Sequence, residues 1–262
     1  MPVPPGLTRP HVLVLGGTTE ARALAAALDE RPELRVTTSL AGRVKDPAAL
    51  PGAVRVGGFG GAAGLAAWLG AHRVDAVVDA THPFAADITA HAGLAAAETG
   101  VPLAVLRRPG WEPVAGDQWR RVPSLRDAAR ALAGHGREVF LTTGRTGLAE
   151  FSGLDGHHFL VRAVEPPEPP FPRHLRVLLD RGPYTVHGET ELLRAHRVDV
   201  LVTKDSGGAA TGAKLAAARA LGVPVLMVDR PALPGTVRAF ADLAGVLGWL
   251  ESALGRRPGG RP

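Results

Sequence analysis

Val74-Asp75-Ala76-Val77-Val78-Asp79-Ala80-Thr81-His82-Pro83-Phe84-Ala85 decides the fold. Its β-branched apolar run is too short for a helix and reads as a strand of a parallel sheet buried on both faces. The run stops at Asp79, Thr81 and His82, and a helical pattern follows. The carboxyl edge of such a sheet is where α/β proteins bind ligands. The same sequence of strand, polar loop and helix occurs at His11 to Glu20 and at Val198 to Lys214.

Around these junctions the first half alternates strands (His11 to Leu15, Leu34 to Thr38, Ala53 to Val56, Val74 to Asp79, Leu103 to Leu106) with helices (Glu20 to Leu28, Gly61 to Gly70, Phe84 to Glu98). Repeated βαβ units of this kind give a parallel sheet with right-handed crossovers. Arg108 to Asp117, rich in Pro and Gly, reads as a linker. The second half repeats the grammar without repeating the sequence: strands at Glu138 to Leu141, His158 to Ala163, Leu175 to Asp180, Val198 to Thr203 and Pro224 to Val228, and helices at Ser124 to Ala133, Thr185 to His196, Thr211 to Leu221 and Thr236 to Leu250. The expected architecture is therefore α/β, with one parallel sheet in residues 1–115 and a second in 116–262, ending in a disordered tail over 255–262.

Composition narrows the function. The chain has no cysteine, which excludes disulfides, thiolate nucleophiles and Cys-ligated metal centres. A Pro-rich start without an apolar stretch predicts no signal peptide and no membrane span, hence a cytoplasmic protein. The net charge of +5 calls for acidic partners. Arg is scattered through the chain, however, and a single Tyr leaves little for base stacking, so a small polyanion is expected and nucleic acid is not.

Six loops carry candidate chemistry. Gly16-Gly17-Thr18-Thr19-Glu20 permits a tight turn whose free helix amides can hold a pyrophosphate. The same residues also suit a ligand-free turn with Thr19 as N-cap and Glu20 complementing the helix dipole. Ser39-Leu40-Ala41-Gly42-Arg43 lies where dinucleotide folds read the adenosine ribose; Arg43 in place of a carboxylate favours a 2′-phosphate, hence NADPH. In Asp79 to Ala85, Thr81 and Pro83 are explained by capping of the next helix, whereas His82 beside Asp79 is a tunable proton donor. Asp87 and His91 could join His82 on a metal, but one such pair on a helix is usually a surface hydrogen bond, and no metal is expected. Thr203-Lys204-Asp205-Ser206-Gly207-Gly208, with Lys214 in the next helix, has the makings of an anion site without phosphate-loop spacing. Thr142-Thr143-Gly144-Arg145 and Asp180-Arg181-Gly182-Pro183-Tyr184 are directed at the same edge.

Gly16 to Arg22, Ser39 to Arg43, Asp79 to Ala85, Arg181 to Tyr184, Thr203 to Gly208 and Leu221 to Pro231, in that order, resemble the precorrin-6A reductase family of cobalamin biosynthesis, which includes reductases of cobalt-precorrin-6A. The resemblance implies two Rossmann-like domains with an inter-domain cleft, and an NADPH-dependent oxidoreductase acting on a CH–CH group. It would reduce one double bond of precorrin-6A, or of its cobalt form, to the corresponding 6B macrocycle. On that reading Gly16, Gly17, Thr18, Thr19, Glu20, Ser39, Arg43 and Thr81 bind the cofactor. Arg145, Arg181, Lys204, Ser206, Gly207 and Lys214 hold the carboxylates of the tetrapyrrole, and His82 or Tyr184 supplies the proton, in a monomer or homodimer. A two-domain nucleotide-sugar transferase and a non-catalytic dinucleotide sensor are the competing readings.

Overall fold

Alternation along the central strands decides the layering. In β1 (His11–Leu15), Val12 and Val14 face one side of a sheet and Leu13 and Leu15 the other, and all are buried, so both faces must be covered. A computed structural model describes residues 9–42, 50–134, 136–235 and 237–255. It divides into two units: residues 1–108 with 231–262, and residues 109–230.

In unit 1, β1 is followed by α1 (Thr19–Asp29), β2 (Arg35–Leu40), β3 (Ala53–Val56), α2 (Gly61–Ala71), β4 (Ala76–Asp79), α3 (Ala86–Thr99) and β5 (Leu103–Leu106). Unit 2 contains β6 (Trp119–Val122), α4 (Leu125–Ala131), β7 (Glu138–Leu141), β8 (His158–Ala163), β9 (Leu175–Leu179), α5 (Val186–Ala195), β10 (Val200–Lys204), α6 (Ala213–Leu221) and β11 (Val225–Val228). The chain then returns to unit 1 for β12 (Arg238–Phe240) and α7 (Leu243–Gly255).

All pairings are parallel, in the orders β12-β5-β4-β1-β2-β3 and β6-β11-β10-β7-β8-β9. Apart from the sixth strand, which comes last in the chain in unit 1 and first in unit 2, the two sheets have one topology. Each winds outward from a central strand and then crosses to that strand's other side, which places a switch point between β1 and β4 in unit 1 and between β7 and β10 in unit 2. Loops leaving the two strands of a switch point run to opposite sides and open a crevice at the carboxyl edge. In unit 1, Ala21, Leu24 and Leu28 of α1 with Val246 and Leu250 of α7 cover one face, and Leu65 and Leu69 of α2 with Ala92 and Ala95 of α3 cover the other. In unit 2, Leu193 of α5 and Leu215 and Ala218 of α6 pack on Phe140, Leu201 and Met227.

Three expectations are corrected. The second domain does not run to the C-terminus, because Arg238, Ala239 and Phe240 pair with Ala104, Val105 and Leu106 of β5, and α7 packs on the β1 face. The helix expected over 236–250 is instead the strand β12 followed by a helix from Leu243 to Gly255. Residues 109–117, read as a linker, belong to unit 2, where the Trp111 N–H donates to Asp205 Oδ1 at 3.0 Å and its indole N–H to the Gly208 carbonyl at 3.1 Å. The tail beyond Gly255 lies outside the described residues.

The sequence also repeats where only its grammar was expected to. Ala71-His72-Arg73-Val74-Asp75 leads into β4, and the identical Ala195-His196-Arg197-Val198-Asp199 leads into β10. Arg73 and Arg197 both adopt φ 49°, and each Asp carboxylate accepts the N–H that starts the central strand, His11 at 2.7 Å and Glu138 at 2.9 Å.

Leu250→Ala should destabilise unit 1 by about 2–5 kcal/mol, the range for truncating a buried leucine. Urea denaturation checks this, and a shift below 1 kcal/mol would mean that α7 is not part of the unit 1 core.

Candidate functional site

At the unit 1 switch point, β1 ends in Gly16, whose N–H donates to the Ser39 carbonyl at 2.8 Å. Gly17 turns the chain at φ 118° with no atom within 4 Å of where a Cβ would stand, a conformation that favours glycine and leaves open space beside the α1 N-terminus. The N-cap is Thr18, not Thr19: Thr18 Oγ1 accepts from the Ala21 N–H at 3.0 Å and donates to the Ala80 carbonyl at 2.7 Å, tying the loop after β1 to the loop after β4. Glu20 lies in the first turn of α1 and is paired with Arg108 at 2.6 Å.

Ser39 ends β2 in a buried position, and its hydroxyl accepts from Arg55 Nη1 at 3.3 Å. Arg43 lies outside the described residues. The described cation at this corner is Arg55 of β3, which the sequence reading passed over. Its guanidinium also donates to the carbonyls of Gly57 and Gly58 and lies 3.8 Å from the Phe59 ring centroid. The signal that could have found it is its place on the strand next to Ser39.

Asp79, at 1% exposure, is a structural carboxylate. Its Oδ1 accepts from both the N–H and the hydroxyl of Thr81, and its Oδ2 from the Thr89 hydroxyl at 2.6 Å. Thr81 therefore braces the loop and does not cap α3, whose N-cap is Ala85. Pro83 precedes the helix. His82 is exposed beyond this brace, and its Nδ1 accepts from the Phe84 N–H at 3.2 Å. In a neutral ring that bond puts the proton on Nε2. Next to this loop, Pro83, Ala86, Thr89, Ala90, Arg107 and residues 231–234 line a mostly apolar cavity of about 300 Å³.

In unit 2 the loops after β7 and β10 are joined through Lys204, whose Nζ donates to the Thr143 carbonyl at 3.0 Å and approaches the Thr146 hydroxyl at 3.5 Å. Ser206 follows, its hydroxyl at 3.3 Å from the Lys204 carbonyl. Gly207 has φ 66°, and a Cβ there would fall 2.1 Å from the Pro109 carbonyl oxygen, so no side chain fits. Asp205 is buried and accepts from Trp111 N–H and from Arg121 at 2.9 Å, a contact that holds the Arg121 guanidinium more firmly charged than usual. Arg145 is paired with Glu165 at 3.0 Å. Arg181 is exposed and has no side-chain partner among the described residues.

Beneath these loops is a charged interior. Arg162 and Glu189, at 6% and 3% exposure, form a bidentate pair. The Tyr184 ring lies on the Arg162 guanidinium, 3.6 Å to the centroid, with its hydroxyl donating to the Asp180 carbonyl at 3.2 Å. Burial pushes the phenol's pKa up, so it remains a donor. Lys214 is buried in place of facing the edge. Its Nζ donates to the Thr211 carbonyl at 2.6 Å and sits 4.7 Å from the Trp111 ring centroid. Burial, with Arg162 nearby, lowers its pKa to about 7. Sequence alone could not tell this buried Lys from an exposed one. Among the described residues no cluster of three or more His, Asp or Glu could hold a metal, and no helix is long and apolar enough to cross a membrane.

Two doubly wound sheets, each with an anion-suited loop at its switch point, match one family of known proteins. The model of the precorrin-6x reductases CbiJ/CobK aligns with residues 11–251. The chain belongs to this family. The precorrin-6A reductase of Rhodococcus erythropolis is 55% identical over 246 residues, covering 94% of this chain and 99% of the relative. That of Mycobacterium tuberculosis H37Rv is 50% identical over 248 residues, with 94% and 99% covered. The cobalt-precorrin-6A reductase of Methanothermobacter thermautotrophicus is 32% identical over 236 residues, with 84% and 76% covered. A solved structure described as CobK precorrin-6A reductase superposes with a TM-score of 0.86 at 47% identity, covering 93% of this chain and 97% of that one. The fold and the enzyme class expected from the sequence, an oxidoreductase of cobalamin biosynthesis, stand.

The lowered Lys214 pKa has a stability consequence. The unfolded lysine binds its proton up to about pH 10.4, the folded one only to about 7, so between these values the unfolded state holds more protons and stability rises with pH. Relative to Lys214→Met, the wild type should gain up to about 1.4 kcal/mol per pH unit across that window. Parallel urea midpoints from pH 7 to 10 for the two proteins would disprove it.

Proposed function

We propose that this reductase transfers a hydride from NADPH to one double bond of precorrin-6A, giving precorrin-6B. A nicotinamide cofactor supplies the hydride; the chain's own groups bind, orient and protonate. The residues of the unit 1 switch point fit such a cofactor: the open turn at Gly17 lets a pyrophosphate approach the first amides of α1, which have no intrahelical partner. Gly16 to Glu20 form this turn, Thr81 braces the neighbouring loop, and Ser39 stands at the ribose end, with Arg43 following β2 in the sequence. A cation there in place of a carboxylate selects the 2′-phosphate.

The loops of unit 2 take the macrocycle. Its carboxylates suit Arg145, Arg181, Lys204, Ser206 and the Gly207 turn, and charge-assisted bonds to several of them fix its orientation. Lys214 acts from below, holding the Thr211 carbonyl and so the turn that leads into α6. His82, with the proton placed on Nε2 by the Phe84 bond, is the first candidate for protonating the carbon next to the one that accepts the hydride; Tyr184, its hydroxyl committed to Asp180, is the second. The metal-free macrocycle is favoured over the cobalt form because the relatives named for it are 44–55% identical to this chain and those named for the cobalt form 30–32%. The enzyme is taken to work in the cytoplasm.

The observation that carries the reading is the pair of anion-suited switch points on a chain of this family. Titration with NADPH and NADH should show at least tenfold preference for NADPH, narrowed in Arg43→Ala; equal affinities would overturn the cofactor assignment. Lys204→Ala should raise KM for the macrocycle roughly tenfold, the scale of one charge-assisted bond, with NADPH affinity unchanged. His82→Ala should lower kcat about 10²-fold or more. Near-normal turnover with an unaltered pH profile would remove His82 from the chemistry.

A further inference from the structure

The shared topology of the two units permits a comparison at the opposite, amino-terminal edge of the sheets. In unit 1 the corner under β1 is packed solid. Trp68 stacks on His72 with centroids 4.1 Å apart, and His11 bonds to the His72 carbonyl at 3.0 Å and the Thr37 hydroxyl at 2.9 Å. The repeated pentapeptide fixes the counterparts in unit 2: His196 for His72, Arg197 for Arg73, Glu138 for His11 and, four residues before His196, Leu192 for Trp68. At the same edge, unit 2 has a cavity of about 510 Å³ lined by Glu138, Ala195, His196 and Arg197, while Leu192 packs against the core.

Its walls are cationic. Arg173, Arg176 and Arg197 line it with His158, His174 and His196 over a floor that includes Leu160 and Val198. Glu138 is its one acidic group and is already bonded to His158 at 2.7 Å. None of the three guanidiniums has a hydrogen bond or ion pair among the described residues; the same holds for Arg120, Arg137 and Arg181 of this unit, but Arg173, Arg176 and Arg197 come together on one cavity. The carboxyl end of α5 attracts cations and accounts for His196 and Arg197. It does not account for Arg173 and His174, which precede β9, or for Arg176 within it.

We propose that this corner of unit 2 is a second binding site, for a small polyanion carrying two or more phosphate or carboxylate groups. Three partnerless guanidiniums converging on one cavity are a set that oxyanions satisfy in bidentate fashion. The apolar floor takes the body of the ligand. The site is separate from the reductase machinery and stands or falls without it.

Calorimetric titration of the full-length protein with tripolyphosphate and with benzene-1,3,5-tricarboxylate tests the proposal. At least one should bind, and the stronger of the two identifies the ligand as phosphate or carboxylate. Arg173→Ala/Arg176→Ala should weaken binding tenfold or more. NADPH affinity should be unchanged in this variant. Lys204→Ala, at the other edge, should leave the polyanion titration as in the wild type. Absence of binding to the wild type, or binding undiminished by the double arginine variant, would overturn the proposal.

Discussion

One polar side chain in each unit bridges the two loops that leave its central strands. In unit 1 it is the Thr18 hydroxyl on the Ala80 carbonyl at 2.7 Å; in unit 2 it is the Lys204 ammonium on the Thr143 carbonyl at 3.0 Å. The constraint behind both is topological. At a switch point the chain leaves adjacent parallel strands toward opposite faces, so the backbone ladder that orders the strands ends where the site begins. Without a tether the loops would lose their registration within a residue or two of the last strand pair. Thr18 also caps α1, so a single oxygen fixes both the helix axis and the neighbouring loop. The Asp79 brace on Thr81 and Thr89 then sets the path from β4 into α3 and turns His82 out.

Buried parallel strands were legible because burial on both faces demands largely apolar runs: His11–Leu15, Leu103–Leu106, Glu138–Leu141 and His158–Ala163 occur where the sequence places them, as does the exposed edge strand Ala53–Val56. β6 and β12 were not legible. Trp-Arg-Arg-Val and Arg-Ala-Phe are edge strands of four and three residues with exposed arginines, and they carry neither an apolar run nor clean alternation. Because each is the sixth strand of its sheet, overlooking them also hid the return of the chain to unit 1. Local periodicity reports which faces are apolar; it carries nothing about which sheet completes its edge.

At the site the residue types were legible and their partners were not. Four threonines and a lysine at strand ends announce a polar edge, yet whether a hydroxyl caps, braces or contacts a ligand depends on atoms distant in sequence. Thr81 illustrates this, because its capping position is taken by Ala85 and its hydroxyl by Asp79. Lys214 reads as a surface cation at a helix start, but the fold buries it over Trp111, a residue more than a hundred positions away. Arg55 was hidden for the opposite reason: it lies within a strand, where a charged residue looks like an edge feature, and only pairing of β3 with β2 brings it to Ser39.

The two units spend their interiors differently. Around its switch point unit 1 buries aliphatic side chains and one satisfied carboxylate, whereas unit 2 buries Arg162, Glu189, Asp205 and Lys214. Desolvation makes such charges a poor source of stability, since well-packed apolar residues would serve the core as well or better. Their effect is directional. Arg162 supports the Tyr184 ring, Lys214 holds the Thr211 carbonyl against the Trp111 ring, and Asp205 fixes the Trp111 amide, so the segments around 111, 184, 205 and 211 are referred to one charged cluster. Interactions in a low-dielectric interior tolerate little displacement, and that stiffness fixes the loops that carry Arg181 and Lys204. An apolar interior would hold the sheet together equally well and leave those loops free to drift.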